Sequence, residues 1–245
     1  MLPIRDNIPS RFTPYMTRII ITVNTLFFLY KLPLPRDETI RLFYLLGVVP
    51  ARYFDPQWAR YMGFPELSLL PFLSHMFLHS GFLHFVINMW ILWVFADNVE
   101  DVMGPFKFMV FYLLCGLLAL GGHMLLYSQS TVPVIGASGA IAGVMGAYLI
   151  LYPQAQVLTL VPIFIFPLFL NLPALVFLGL WFVIQIMSGL MASLGPASDA
   201  AGVAWWAHAF GFLAGLLLLN FFKDDKRCYY CFDYRKDSLD DFLFK

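Results

Sequence analysis

Ser138 stands in the box Gly136-Ala137-Ser138-Gly139, and His208 follows in Ala207-His208 with Gly211 and Gly215 behind it. His79, His84 and Asn88 precede both as H-x4-H-x3-N. A serine activated by a histidine base is the equipment of nucleophilic acyl transfer. Glycines beside the serine let backbone N–H groups approach a substrate carbonyl, and Asn and His side chains can donate to a developing oxyanion. Each pattern also has an ordinary reading. Gly136, Gly139, Gly143 and Gly146 form a small-residue packing surface, His208 is a histidine near the end of an apolar run, and His84 and Asn88 share one helix face as interhelical polar glue. What favours chemistry is company, because all of these polar residues lie in apolar surroundings, where they are costly.

Those surroundings follow from composition. The 245 residues are 60% hydrophobic and 12% charged, with a formal net charge of zero, far from the usual globular mix of about a quarter charged. No Lys or Arg occurs between Phe108 and Phe222. The chain therefore reads as a polytopic membrane protein of the all-α class. No basic patch interleaved with aromatics points to nucleic acid. Residues 1–222 are expected to form one membrane domain and 223–245 a short cytoplasmic tail. No cleavable secretion signal is evident, since the first apolar run carries Asn24 and lacks a small-residue cleavage site.

Apolar runs place six spans, at Met16 to Leu32, Leu83 to Val102, Phe106 to Tyr127, Ser138 to Tyr152, Ala174 to Leu194 and Ala204 to Phe222. With both termini inside, ten basic residues face the cytoplasm and five the outside, the bias the positive-inside rule expects. The aromatic segment from Pro33 to Gly81, punctuated by Pro50, Pro56, Pro65 and Pro71, reads as a partly helical hairpin leaning into the membrane. From Ser138 to Pro153 the fourth span covers only roughly 22 Å, too little for a ~30 Å core, so Ser138 opens a submerged helix. The preceding Ser128 to Ile135 must then descend as irregular backbone lining a cavity. Gln154 to Pro173, with three prolines and the β-favouring run Val157 to Val161, reads as an interfacial excursion rather than a seventh span. Under that parity His84, Ser138 and His208 share one depth.

Other residues bear on the chemistry by default. His75 and His79 have metal-ligand spacing, but Met76, Phe77 and Leu78 lie between them where a metallopeptidase helix would offer Glu. Cys228 and Cys231 form a single C-x2-C without further ligands and read as structural or incidental, and Cys115 as a small core residue. No metal and no cofactor is expected. No carboxylate lies in the spans of Ser138 or His208 near either residue, so no third, orienting residue is visible and the pair reads as a dyad. Asp97 to Asp101 with Gly104-Pro105 reads as a polar turn and boundary only.

Taken together, H-x3-H-x4-H-x3-N (His75, His79, His84, Asn88), the G-x-S-G box and A-H-x2-G-x3-G resemble the rhomboid family of intramembrane serine proteases, over roughly Ser74 to Phe222. The resemblance implies a six-helix bundle with a membrane-embedded first-loop hairpin. It also implies Ser138 as nucleophile, His208 as base, and His84, Asn88 and the Ser138 N–H as oxyanion contacts, with His79 and Gly136 in support. Leu70-Pro71 stands where many relatives carry Trp-Arg. The expected activity is hydrolysis of peptide bonds in or near transmembrane segments of membrane-protein substrates, in a plasma or inner membrane, with the site opening outward. The loop Ser193 to Val203 is expected to cap the site, and Trp181 and Phe182 to line a lateral gate. One rival is an inactive scaffold that binds client transmembrane helices, although such relatives usually lose the Ser or His. The other is a transporter, which should show an internal repeat that is absent here.

Overall fold

The computed structural model describes residues 1–64, 68–163, 166–194 and 204–232. A short strand β1 (Leu2–Arg5) leads into α1 (Tyr15–Lys31), and the long first loop carries α2 (Arg36–Leu46), α3 (Pro50–Phe54), α4 (Pro56–Tyr61) and α5 (Leu70–Ser74). The bundle continues with α6 (Phe82–Met103), α7 (Pro105–Leu126) and the short α8 (Ser138–Leu151). After the strands β2 (Gln156–Ile163) and β3 (Phe166–Pro173) come α9 (Ala174–Leu194) and α10 (Trp205–Phe222). Four of these helices, α6, α7, α9 and α10, are long and apolar enough to cross a membrane by length and composition; α1 has 17 residues and α8 has 14.

In the first loop the prolines start helices instead of breaking them. Pro50, Pro56 and Pro71 sit in the first turns of α3, α4 and α5, where a missing N–H costs nothing. Pro65 lies outside the described residues, as do most of the expected cap, at 195–203, and the tail from 233 onward.

An all-α fold needs one amendment, because a three-stranded antiparallel sheet in the order β1-β2-β3 lies at one end of the bundle. β2 and β3 pair from Gln156↔Pro173 to Ile163↔Phe166 as one hairpin. Its two ends meet: the N–H of Ala174 donates to Ala155 C=O at 2.8 Å and that of Leu175 to Pro153 C=O at 2.9 Å. The segment between α8 and α9 therefore leaves the bundle and returns to the same end. The Val157 to Val161 run carried that signal. What the sequence reading missed is β1, which pairs Leu2 with Leu160.

Asp97 to Asp101 is more than a boundary, which corrects the expectation. These residues form the last turns of α6, with the turn itself made by Gly104 at φ 76°. Their carboxylates face the N-terminal arm. Glu100, 3% exposed, accepts from the backbone N–H groups of Met16 (2.9 Å) and Thr17 (2.8 Å) and from Thr17 Oγ1 (2.8 Å). It thus caps α1 with a negative charge where the helix dipole welcomes one. Asp101 accepts from the N–H groups of Arg11 and Phe12, Asp97 pairs with Ser10, and the Tyr148 hydroxyl donates to Asp6. Arg227 closes the same end by donating to Asp101 C=O at 2.7 Å, and the 228–231 disulfide follows it. Buried carboxylates persist here because backbone donors come to them.

Helices α8 and α10 cross at backbone distance. A Cβ added to Gly215 would stand 1.9 Å from the carbonyl oxygen of Gly143, one on Gly211 2.1 Å from that of Gly139, and one on Gly146 2.2 Å from that of Phe212. On its other side α8 meets α7 the same way, since a Cβ on Gly143 would fall 2.4 Å from Cys115 Cβ and one on Gly139 2.7 Å from Ala119 Cβ. Small residues thus replace side-chain interdigitation with close helix contact. Gly215→Ala is expected to lower stability by about 3 kcal/mol or more through backbone overlap. Gly179→Ala, where nothing lies within 4 Å, should cost little. Thermal unfolding of both variants in the same detergent checks the contrast.

Candidate active site

The irregular backbone before α8 is held from two sides. Val134 pairs with Val48 through N–H donors at 2.7 and 3.1 Å, and the N–H of Gly136 donates to His75 C=O at 2.8 Å. Gly136 then adopts φ 125°, and a Cβ there would meet His84 Nε2 at 2.9 Å. Only glycine leaves room for that imidazole. The chain next enters α8 at Ser138, whose first N–H groups have no acceptor within the helix.

Across the crossing, α10 brings His208 to Ser138. His208 Nε2 lies 2.8 Å from Ser138 Oγ, and His208 Nδ1 lies 2.8 Å from Gln185 Oε1 on α9. Two tryptophans flank the imidazole, Trp181 at 6.0 Å and Trp205 edge-on at 6.3 Å between ring centroids. Ser138, His208, His84, Asn88, Ser80, Trp181 and Gln185 line a cavity of 580 Å³ whose remaining wall is mostly apolar, including Ile87, Ile141 and Met145. Neither expected gate residue stands alone: Trp181 lies beside His208 in the cavity wall, while Phe182 stacks on Phe212 of α10 at 4.7 Å.

The tautomer of His84 follows from its neighbour. The N–H of Ser80, which can only donate, points at His84 Nδ1 at 3.3 Å, with Ser80 Oγ at 3.0 Å. Nδ1 therefore accepts and Nε2 carries the hydrogen, directed to the side of Gly136. Asn88 lines the same cavity, but its Nδ2 also donates to His84 C=O at 2.7 Å, so one of its two hydrogens is engaged within its own helix.

His79 does not reach the cavity wall. It is buried, set edge-on to His84 with centroids 5.1 Å apart, and serves through its backbone, because Lys31 Nζ donates to its C=O at 2.8 Å. Burial, with His84 and Lys31 adding repulsion, pushes its imidazole down to about 3, so it is neutral. His75 is likewise pushed down by burial, to about 4, and acts by holding Gly136. Among the described residues no group of three or more His, Cys, Asp or Glu is placed to hold a metal ion.

Sequence reasoning missed Gln185, Ser80 and Lys31. Gln185 carried a signal, as an amide in the middle of a span with no charged residue. Ser80 and Lys31 carried none, since their roles depend on how the first loop folds back over α6.

Residues 66–223 match the Rhomboid domain. The presenilin-associated rhomboid-like protein A, mitochondrial, of Danio rerio is 31% identical over 117 residues, covering 45% of this chain and 30% of that protein. RHOMBOID-like protein 6, mitochondrial, of Arabidopsis thaliana is 38% identical over 79 residues, 31% of this chain and 24% of the relative. Rhomboid protein 1, mitochondrial, of Saccharomyces cerevisiae is 32% identical over 104 residues, 41% and 29% respectively. The chain thus matches less than a third of the length of these relatives. The Rhomboid match covers well over half of the chain itself, including α5 to α10 and every residue of the cavity named above, and on that ground the chain belongs to the rhomboid family.

Proposed function

We propose that this protein is an intramembrane serine endopeptidase that cleaves peptide bonds in or near transmembrane segments of other membrane proteins. The observation that carries the reading is the 2.8 Å contact between Ser138 Oγ and His208 Nε2 in the lining of a large, mostly apolar cavity. Ser138 Oγ attacks the scissile carbonyl carbon as its proton passes to His208 Nε2. The oxyanion that forms is met by the Ser138 N–H at the start of α8, by His84 Nε2–H and by Asn88, with the helix dipole adding to them. Collapse of the intermediate expels the amine, which takes the proton from His208 and leaves an acyl-serine. Water then attacks this ester with His208 again as base, releasing the acid and restoring the hydroxyl. The substrate helix must unwind at the cleaved bond, because an intact helix hides its carbonyls in its own hydrogen bonds.

The same reading makes α1, α6, α7, α8, α9 and α10 six spans, with both termini on the inner side and the cavity opening outward. α8, at about 21 Å, is too short to cross a ~30 Å core. Its start at Ser138 is therefore submerged, and the first loop with α2 to α5 leans into the outer layer. Of the plasma or inner membrane expected from the sequence, the relatives named mitochondrial favour a mitochondrial membrane.

Ser138→Ala and His208→Ala are each expected to abolish cleavage of a transmembrane reporter substrate while the protein stays folded, with the double variant no worse than either single. Wild-type turnover in either single variant would remove the dyad assignment. His84→Ala and Asn88→Ala are expected to lower kcat by about 10²-fold with KM little changed, as oxyanion donors act in the transition state. A purely structural role predicts instead a lower melting temperature with unchanged specific activity in the folded fraction, so both quantities are measured on the same preparations.

A further inference from the structure

Gln185 sits midway along α9, a helix without a charged residue, and is 4% exposed. A primary amide in such a place is costly unless both of its ends are partnered. Both are. Its Nε2 donates to the C=O of Trp181 one turn earlier at 3.2 Å, and its Oε1 lies 2.8 Å from His208 Nδ1. The first bond settles which way round the amide is, because a carbonyl accepts only from the NH2 end. The carbonyl end must then face His208, and since that oxygen only accepts, Nδ1 must carry the hydrogen.

The consequence lies on the other side of the ring. A neutral imidazole with hydrogen on Nδ1 has its lone pair on Nε2, the atom 2.8 Å from Ser138 Oγ. The opposite tautomer would direct an N–H at the serine and could not take its proton. We infer that Gln185 is a positioning residue that locks His208 in its Nδ1–H form and fixes the plane of the ring, an uncharged counterpart of the carboxylate that orients histidine in many serine hydrolases. This rests on the proposed hydrolase reading for its purpose, though the tautomer itself does not.

The test uses the intact protein in detergent with 15N-labelled histidine. Nitrogen spectra, with His208→Ala used for assignment, are expected to show Nδ1 of His208 protonated and Nε2 bare in the wild type. In Gln185→Met, which keeps the length and bulk of the side chain but removes the acceptor, the Nδ1–H signature should be lost or mixed with the other tautomer. With a cleavable substrate, the same variant should lose about 10- to 100-fold in kcat with KM within about threefold and an unchanged melting temperature. A wild-type His208 protonated on Nε2 overturns the inference even if the variant misfolds. So does an unaltered tautomer in Gln185→Met, or a loss of activity that only tracks the folded fraction. A wild type that shows the Nδ1–H form yet cleaves no substrate leaves the tautomer assignment standing and counts against the hydrolase reading.

Discussion

The structure depends on the contact of bare backbone between α8 and α10. Gly211 and Gly215 lie against the carbonyls of Gly139 and Gly143 so closely that a single methyl would overlap them. Lipid tails are as apolar as leucine, so burying side chains gives no drive for helix association in a bilayer. Close packing of small residues supplies it instead. The same crossing brings the candidate pair together, because the serine at the head of α8 and the histidine in the first turn of α10 lie just beyond the glycine contacts. A crossing wider by one methyl group would put Nε2 and Oγ out of hydrogen-bond reach.

Around that crossing the polar groups lie at the two ends of the bundle. At one end, carboxylates of α6 take the backbone donors of the N-terminal arm, and Glu100 caps α1. At the other, Lys31 holds the turn at His79 and Ser80, and Ser80 in turn sets the tautomer of His84. The two cavity histidines are thus directed oppositely. A backbone N–H leaves His84 a donor toward the site, and an amide oxygen leaves His208 an acceptor there. Neither arrangement needs a buried charge, which suits a low-dielectric interior where an unpaired ion is expensive.

Much of this was legible in the sequence. The apolar runs located all six long or short bundle helices to within a residue or two, Ala174–Leu194 to the residue, because lipid-facing composition leaves little ambiguity. The short fourth run was readable from its length, the excursion after it from its prolines and β-favouring residues, and the approach of Ser138 to His208 from the small residues around both. What stayed hidden were contacts made by residues with no local pattern. Met1 to Tyr15 reads in sequence only as a polar, Pro-punctuated stretch, and its pairing with β2 and with the acidic end of α6 exists only once the bundle has formed. Gln185 was visible as an oddity, but only the approach of α9 to α10 gives its amide a partner. Asn88 shows the converse, a residue placed at the cavity whose amide also serves its own helix.

The claim at the centre is that Ser138 is a nucleophile because His208 can take its proton. Treating the purified protein with a fluorophosphonate and mapping the adduct by peptide mass spectrometry tests this without any knowledge of a substrate. The account predicts one phosphonylated serine, Ser138, with the adduct abolished by His208→Ala. An unmodified Ser138, or labelling that is indifferent to His208, would contradict it.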